Sequence, residues 1–234
     1  MDTKLSNFLG LTSNQLKIIA LVAMTCDHVG KELLPQCQIL QIIGRLAFPI
    51  FAYMVAEGCT HTKSKKKYLL TMMILAFLCQ IMYYIAEKSL YQCVLVTFSI
   101  SIVLIYGLDF ARKNKKIWAY ALSILTFVVA IFVCVILPWI VPNTDFAIDY
   151  GVFGVLLPVA VYLGKTKKMK LVFMAIALVL LTLTMGDIQW FALLTPFVLA
   201  LYNGKRGTWK IKNLFYIYYP LHLAGIYLIG LVVF

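Results

Sequence analysis

The chain has 234 residues, of which 63% are hydrophobic and only 13% charged, yet Lys and Arg outnumber Asp and Glu by 21 to 9. A soluble domain of this length would show amphipathic helices or alternating strands around one core. Here apolar stretches fill the whole length and are apolar nearly all round, which excludes that class. No basic stripe with interleaved aromatics accompanies the surplus cations, so nucleic acid is excluded as a partner and the lipid bilayer is the expected one.

The reading is an all-α, polytopic membrane helix bundle, a single membrane-embedded domain over residues 1–234. About nine spans are expected, in order Leu16 to Leu34, Ile39 to Thr60, Tyr68 to Ala86, Cys93 to Ala111, Ile117 to Leu137, Tyr150 to Gly164, Leu171 to Gly186, Gln189 to Tyr202 and Leu214 to Phe234. A helix needs roughly 17 to 25 residues to cross a hydrocarbon core. The sixth, seventh and eighth runs are therefore short, and half-helices lining a cavity are expected there. The start, Met1 to Ser13, is polar and weakly charged, and the first run is too long and too polar for a cleaved signal peptide. The six cysteines show neither C-x-x-C nor Cys/His spacing, so they read as packing residues, with no metal site expected.

The first run carries Asp27 and His28 side by side, and the second carries Arg45. Charges at bilayer depth are expensive and usually face a protein interior or a wet cavity. At about 1.5 Å of rise per residue, Asp27 and His28 lie roughly 10 Å, and Arg45 roughly 9 Å, from the ends of their runs that meet in one short loop, so an Asp27–Arg45 ion pair with His28 beside it is expected. His222 in the last run falls roughly 13 Å deep from the opposite side. A lone intramembrane histidine is more often a helix-to-helix hydrogen bond than a reactive group, and His222 stands evenly between the two. Pro49 cannot donate to the carbonyl of Arg45, nor Pro220 to that of Tyr216, so kinks are expected at both. Glu57 and His61 share a helix face near the end of the second run.

Lys63, Lys65, Lys66 and Lys67, then Arg112, Lys113, Lys115 and Lys116, then Lys165, Lys167, Lys168 and Lys170, then Lys205, Arg206, Lys210 and Lys212 fill every second loop. Excess cations stay on the cytoplasmic side, which places the N-terminus inside and, with nine spans, the C-terminus outside. Gly204-Lys205-Arg206-Gly207 adds flexible backbone N–H groups to two cations, a combination suited to phosphate. An imidazole near a carboxylate fits a general base, with Arg45 stabilising an oxyanion or holding Asp27 ionised. The same groups would also serve a proton-coupled transporter.

Leu16-Lys17-Ile18-Ile19-Ala20 with Met24-Thr25-Cys26-Asp27-His28, then Gly44-Arg45-Leu46-Ala47-Phe48-Pro49-Ile50-Phe51-Ala52 with Glu57-Gly58 and His61-Thr62, resembles the TraX family of conjugative-transfer membrane proteins. Asp149-Tyr150-Gly151-Val152-Phe153-Gly154-Val155, Leu201-Tyr202-Asn203-Gly204-Lys205-Arg206-Gly207 and Phe215-Tyr216-Ile217-Tyr218-Tyr219-Pro220-Leu221-His222-Leu223 extend the likeness along the chain. The resemblance implies acetylation of a pilin N-terminus from acetyl-CoA, a bacterial cell-membrane location, and kinship with the acyltransferase-3 and heparan-sulfate acetyltransferase group. It further implies His28 as the catalytic residue and a donor bound from the cytoplasm. Asp27 and Arg45 are expected to act with His28, Asn203, Lys205, Arg206, Glu57 and His61 to hold the donor, and His222, Tyr219, Asp149 and Tyr150 to line the site. Around Tyr68 to Tyr84 and Gln92 to Ser101 the chain departs from the family pattern, which leaves the acceptor open between a peptide N-terminus, a saccharide and another small molecule.

The expected function is thus transfer of an acetyl group from cytoplasmic acetyl-CoA to an amine or hydroxyl near mid-membrane or the outer face. A transporter should show inverted halves with matching broken helices, and the short runs cluster in the C-terminal half alone. A non-catalytic conjugation or pilus assembly protein would have no need of three ionisable groups at one depth.

Overall fold

The computed structural model describes residues 10–209 and 212–233, with side chains for all but 212–216 and 231–233. The polar start up to residue 9, and Lys210 of the last basic loop, lie outside the described residues. The chain is helical: α1 (Ser13–Glu32), α2 (Gln38–Gly44), α3 (Ala47–His61), α4 (Lys65–Glu87), α5 (Val94–Asn114), α6 (Ile117–Ile131), a π-helical stretch (Phe132–Ile136), α7 (Leu137–Ile140), α8 (Gly151–Leu163), α9 (Lys167–Met185), a 3₁₀ stretch (Asp187–Leu194), α10 (Thr195–Ala200) and α11 (Lys212–Val233). No strand occurs among the described residues, only two isolated bridges, Leu11 with Tyr202 and Gln92 with Ile148.

Among the described residues, five helical stretches are long and apolar enough to cross a membrane: Gln38–His61, Lys65–Glu87, Val94–Asn114, Ile117–Ile140 and Lys167–Met185. The first helix, which carries Lys17, Asp27, His28 and Lys31, is not among them. The seventh run, expected short, forms the 19-residue α9 because the lysines of its basic loop continue the helix. The second run is broken where Pro49 requires it. α2 stops at Gly44, and the turn through Arg45 and Leu46 tightens to a bond from Leu46 N–H to the Ile43 carbonyl before α3 begins. Pro138 acts alike on the fifth run, since its missing donor would have met the carbonyl of Cys134, inside the π-helical turn. Apolar side chains stand exposed along α4 and α6, Phe77 by 67%, Ile85 by 68% and Ile124 by 63%, a surface that hydrocarbon covers and water would not.

The chain divides into two compact units, one formed by the residues to Met54 with Leu178 onward, the other by Val55–Ala177. In the first unit a capping box starts α1, Thr12 and Gln15 each satisfying the other's backbone N–H. The next two N–H groups, of Ser13 and Asn14, donate to the carbonyls of Lys205 and Arg206. Leu11 and Asn203 complete this seam, which ties the residues before α1 to the loop after α10. Helices α1 and α2 approach through glycine: a Cβ at Gly44 would lie 2.7 Å from the Cα of Asp27, and one at Gly30 would lie 2.9 Å from the Cβ of Leu40. Small residues at such crossings let backbones come close in membranes.

In the second unit α5 packs against α4, α6 and α8. Its Thr97 and Ser101 hydroxyls donate to the carbonyls of Asp149 and Val155, around a core that includes Ile102, Ile105 and Leu157. The loops before α5 and before α8 are bound together, Gln92 exchanging backbone bonds with Ala147 and Asp149. The Ser89 hydroxyl and Leu90 N–H donate to Asp145 and hold its carboxyl below the usual aspartate range. Burial, then the neighbouring Asp149 carboxylate, pushes the Tyr91 hydroxyl well above the usual tyrosine range.

Candidate functional site

Asp27, on the buried face of α1, meets Arg45 at the break between α2 and α3. The Arg45 Nη2 donates to Asp27 Oδ1, and Lys31, one turn along α1, reaches Asp27 Oδ2 at 2.7 Å. The guanidinium is clamped on two further sides, Nε donating to the Gln41 carbonyl at 3.3 Å and Nη1 to Gln189 Oε1 at 3.1 Å. Gln41 in turn donates to the carbonyl of Gly30, so α1, α2 and the 3₁₀ stretch all contribute to holding one arginine. One anion faces two cations, and the group carries a surplus positive charge.

No hydrogen bond joins Asp27 to His28 among the described residues. Consecutive residues on a helix point about 100° apart, so both Asp27 oxygens turn to Lys31 and Arg45 while the His28 ring turns to α11. There it meets His222 edge to face, ring centroids 5.0 Å apart. His222 is stacked on Tyr218 at 5.3 Å and meets Tyr219 edge-on at 5.4 Å. The Tyr218 hydroxyl is tied to Thr25 of α1 at 2.6 Å.

His222 Nδ1 lies 3.0 Å from the Tyr218 carbonyl. A carbonyl only accepts, so Nδ1 carries the hydrogen and Nε2 of the neutral ring presents a bare lone pair. That Nε2 is buried with no hydrogen-bond partner among the described residues. Two imidazoles thus meet where α1 and α11 pack, one of them next in the chain to the largely buried Asp27–Arg45 pair, the other with an unused basic nitrogen, while Lys31 is half-exposed.

The remaining sequence candidates divide by unit. In the first, Asn203 has a structural part: its amide donates to the Gly10 carbonyl and accepts from Lys205 N–H. It shapes the loop in which Lys205 and Arg206 are exposed and Gly204 takes a φ of 75°. In the second, Glu57 is paired with Lys170, and His61 Nε2 lies 3.6 Å from the other Glu57 oxygen. An anion already holding a cation is not itself a phosphate ligand. Asp149 accepts from the Tyr91 hydroxyl at 2.8 Å, and Tyr150 takes a left-handed φ of 61° to start α8. All six cysteines are free thiols, and no cluster of metal ligands occurs among the described residues.

Sequence reasoning missed Gln189. It is 2% exposed, and its Nε2, like the hydroxyl of the fully buried Thr195, has no partner among the described residues. A neutral amide escapes a search for intramembrane charge. The signal that was present is a polar residue opening a short apolar run directly after Gly186-Asp187.

The fold and this buried polar group define a helical membrane protein with ionisable side chains gathered inside its apolar body. A sequence model described as TraX protein matches residues 12–230, and the chain belongs to that family. It is 26% identical to a probable fimbrial assembly protein, FimC of serogroup H1, from Dichelobacter nodosus, over 94% of this chain and 96% of that protein. A 38-residue stretch, 16% of this chain and 15% of the other, is 50% identical to the uncharacterized protein RP591 of Rickettsia prowazekii strain Madrid E. No solved structure matches.

Proposed function

We propose that the protein is an integral-membrane acyltransferase that moves an acetyl group from cytoplasmic acetyl-CoA to an amine or hydroxyl acceptor near mid-membrane or the outer face. The observation that carries the reading is the His28–His222 imidazole pair, with the bare Nε2 of His222 buried and His28 next in the chain to the Asp27 that pairs with Arg45. His28 is the general base and His222 its partner in handling the proton. As the acceptor nitrogen or oxygen adds to the thioester carbonyl carbon, its proton goes to the imidazole. The new C–N or C–O bond forms, the C–S bond breaks with its electron pair leaving on sulfur, and the imidazole returns the proton to the thiolate. Arg45, held rigid by Gln41, Gln189 and Asp27, supplies positive potential where the carbonyl oxygen gains charge.

The nine-span topology, with the N-terminus inside and the C-terminus outside, belongs to this proposal, because it sets the basic loops in the cytoplasm. Lys205 and Arg206, on the loop that Asn203 shapes, then meet the CoA phosphates. In the second unit Glu57 is taken up by Lys170, with His61 beside it, so neither is given a part in donor binding. Tyr219 lines the histidine pair. Asp149 and Tyr150 order the outer loops rather than touch substrate. The family likeness and the name of the Dichelobacter relative favour a pilin-like peptide N-terminus as acceptor. That name alone also supports a second reading, a non-catalytic membrane partner in fimbrial assembly.

The test is incubation of purified protein in lipid vesicles with isotopically labelled acetyl-CoA and peptides bearing free or blocked N-termini, read by mass spectrometry. The proposal expects saturable acetyl-CoA binding and a labelled acetyl group on the free-N-terminus peptide or on a hydroxyl acceptor. Absence of both binding and label would leave the assembly-partner reading.

A further inference from the structure

The 3₁₀ stretch places Gln189 and Ala192 three residues apart, a spacing at which side chains fall in one row, and Thr195 follows at the same spacing where α10 begins. All three are buried, at 2%, 0% and 0% exposure. Gln189 sits where the row meets Arg45. Which end of its amide faces the arginine is fixed by chemistry, because a guanidinium has donors only. The oxygen must take the Arg45 hydrogen, as it does at 3.1 Å, and the NH₂ group must point away. Both hydrogens of that group are buried without a partner among the described residues. A buried unsatisfied donor is costly, and native proteins keep few of them. This one lies directly against the one cation that the proposed chemistry uses.

We infer that Gln189 is a catalytic hydrogen-bond donor: its oxygen aligns the Arg45 guanidinium, and its free N–H groups receive the carbonyl oxygen of the acyl group as that oxygen becomes negative. The inference rests on the acyltransferase reading and adds to it a neutral hydrogen-bond donor. In the addition step the acceptor's electron pair forms the bond to the carbonyl carbon and the C=O π pair moves to oxygen, where the Gln189 N–H meets it. When the C–S bond breaks that pair returns and the donor is released. A donor that strengthens only as charge develops lowers the barrier without tightening ground-state binding.

Gln189→Glu separates alignment from donation. Glutamate keeps an oxygen against Arg45 and adds an anion that offsets the surplus positive charge of Asp27, Arg45 and Lys31, but it offers no hydrogen when ionised. The expected result is a melting midpoint near that of wild type, an unchanged KM for acetyl-CoA, and a kcat about a hundred- to a thousandfold lower, the size of effect seen when one such donor is lost. Gln189→Met, which keeps the length and removes both polar atoms without adding charge, should show the same loss in kcat and guards against misfolding of the first variant. A wild-type kcat in either variant that still binds acetyl-CoA overturns the inference while leaving the acyltransferase reading intact. A wild-type protein that transfers no acyl group at all overturns both.

Discussion

The two units each contain ion pairs, and they treat them differently. In the second unit three carboxylates are matched, Asp109 by Lys65 and the Tyr162 hydroxyl, Glu57 by Lys170 and Asp149 by the Tyr91 hydroxyl, while one buried hydroxyl, that of Tyr106, has no hydrogen-bond partner among the described residues. These groups end helices and join loops. In the first unit the group is left unequal, with two cations on Asp27, an amide and an imidazole holding unused polar atoms, and two histidine rings in contact. Satisfied polar groups stabilise, whereas a buried group left with capacity is available to something that binds. The proposed chemistry draws on the first unit, where the unused nitrogens of Gln189 and His222 stand against Arg45 and His28.

The largest effect that could break this contrast is at Asp27. Asp27→Ala leaves Arg45 buried without its anion, and removing one partner of a buried pair costs on the order of 3–5 kcal/mol. A thermal melt in detergent should show a large drop together with loss of acetyl transfer, and a midpoint close to wild type would mean that Arg45 finds water or lipid instead. Gly44→Ala should follow at about 1–3 kcal/mol, the usual range for overpacking, because its Cβ would meet the backbone of Asp27. The same melt checks it. Asp109→Asn in the second unit should cost about 1 kcal/mol and leave transfer per folded molecule unchanged. A loss of kcat there without a loss of stability would erase the distinction between the units. The smallest effect concerns acid. Asp145 has a lowered pKa, so its contribution to stability is present above the ordinary aspartate value near 3.9 and fades as pH falls through the lower folded value. Asp145→Asn should flatten the acid end of a stability profile slightly, and an unchanged profile would show that the loop clasp does not depend on charge.

Much of this was legible in the chain. Apolar runs and basic loops marked the helices, and Pro49 marked the break at Arg45, because these depend on local composition and on one missing donor. The meeting of Asp27 and Arg45 could be read from depth, since both lie a similar distance from one short loop. The partner of His28 could not. Adjacency in sequence suggested Asp27, but helix geometry turns neighbours apart, and the ring it meets, His222, is distant in the chain. Gln189 was hidden for a different reason: its weight comes from a three-residue row in a 3₁₀ turn and from an atom left without a partner, and neither is a property of residue type. The length of α9 was underread because lysines at a membrane surface looked like the end of a helix.

The central claim is that the two imidazoles in the first unit handle the proton of an acyl transfer. It is tested most directly by following labelled acetyl from acetyl-CoA to acceptor with wild type, His28→Ala and His222→Ala, each matched for folded protein by its melting curve. The account predicts that His28→Ala falls at least about a hundredfold, the lower end of what a general base contributes, with acetyl-CoA binding retained, and that His222→Ala loses a smaller but clear part of the rate. Wild-type turnover by both variants would contradict it.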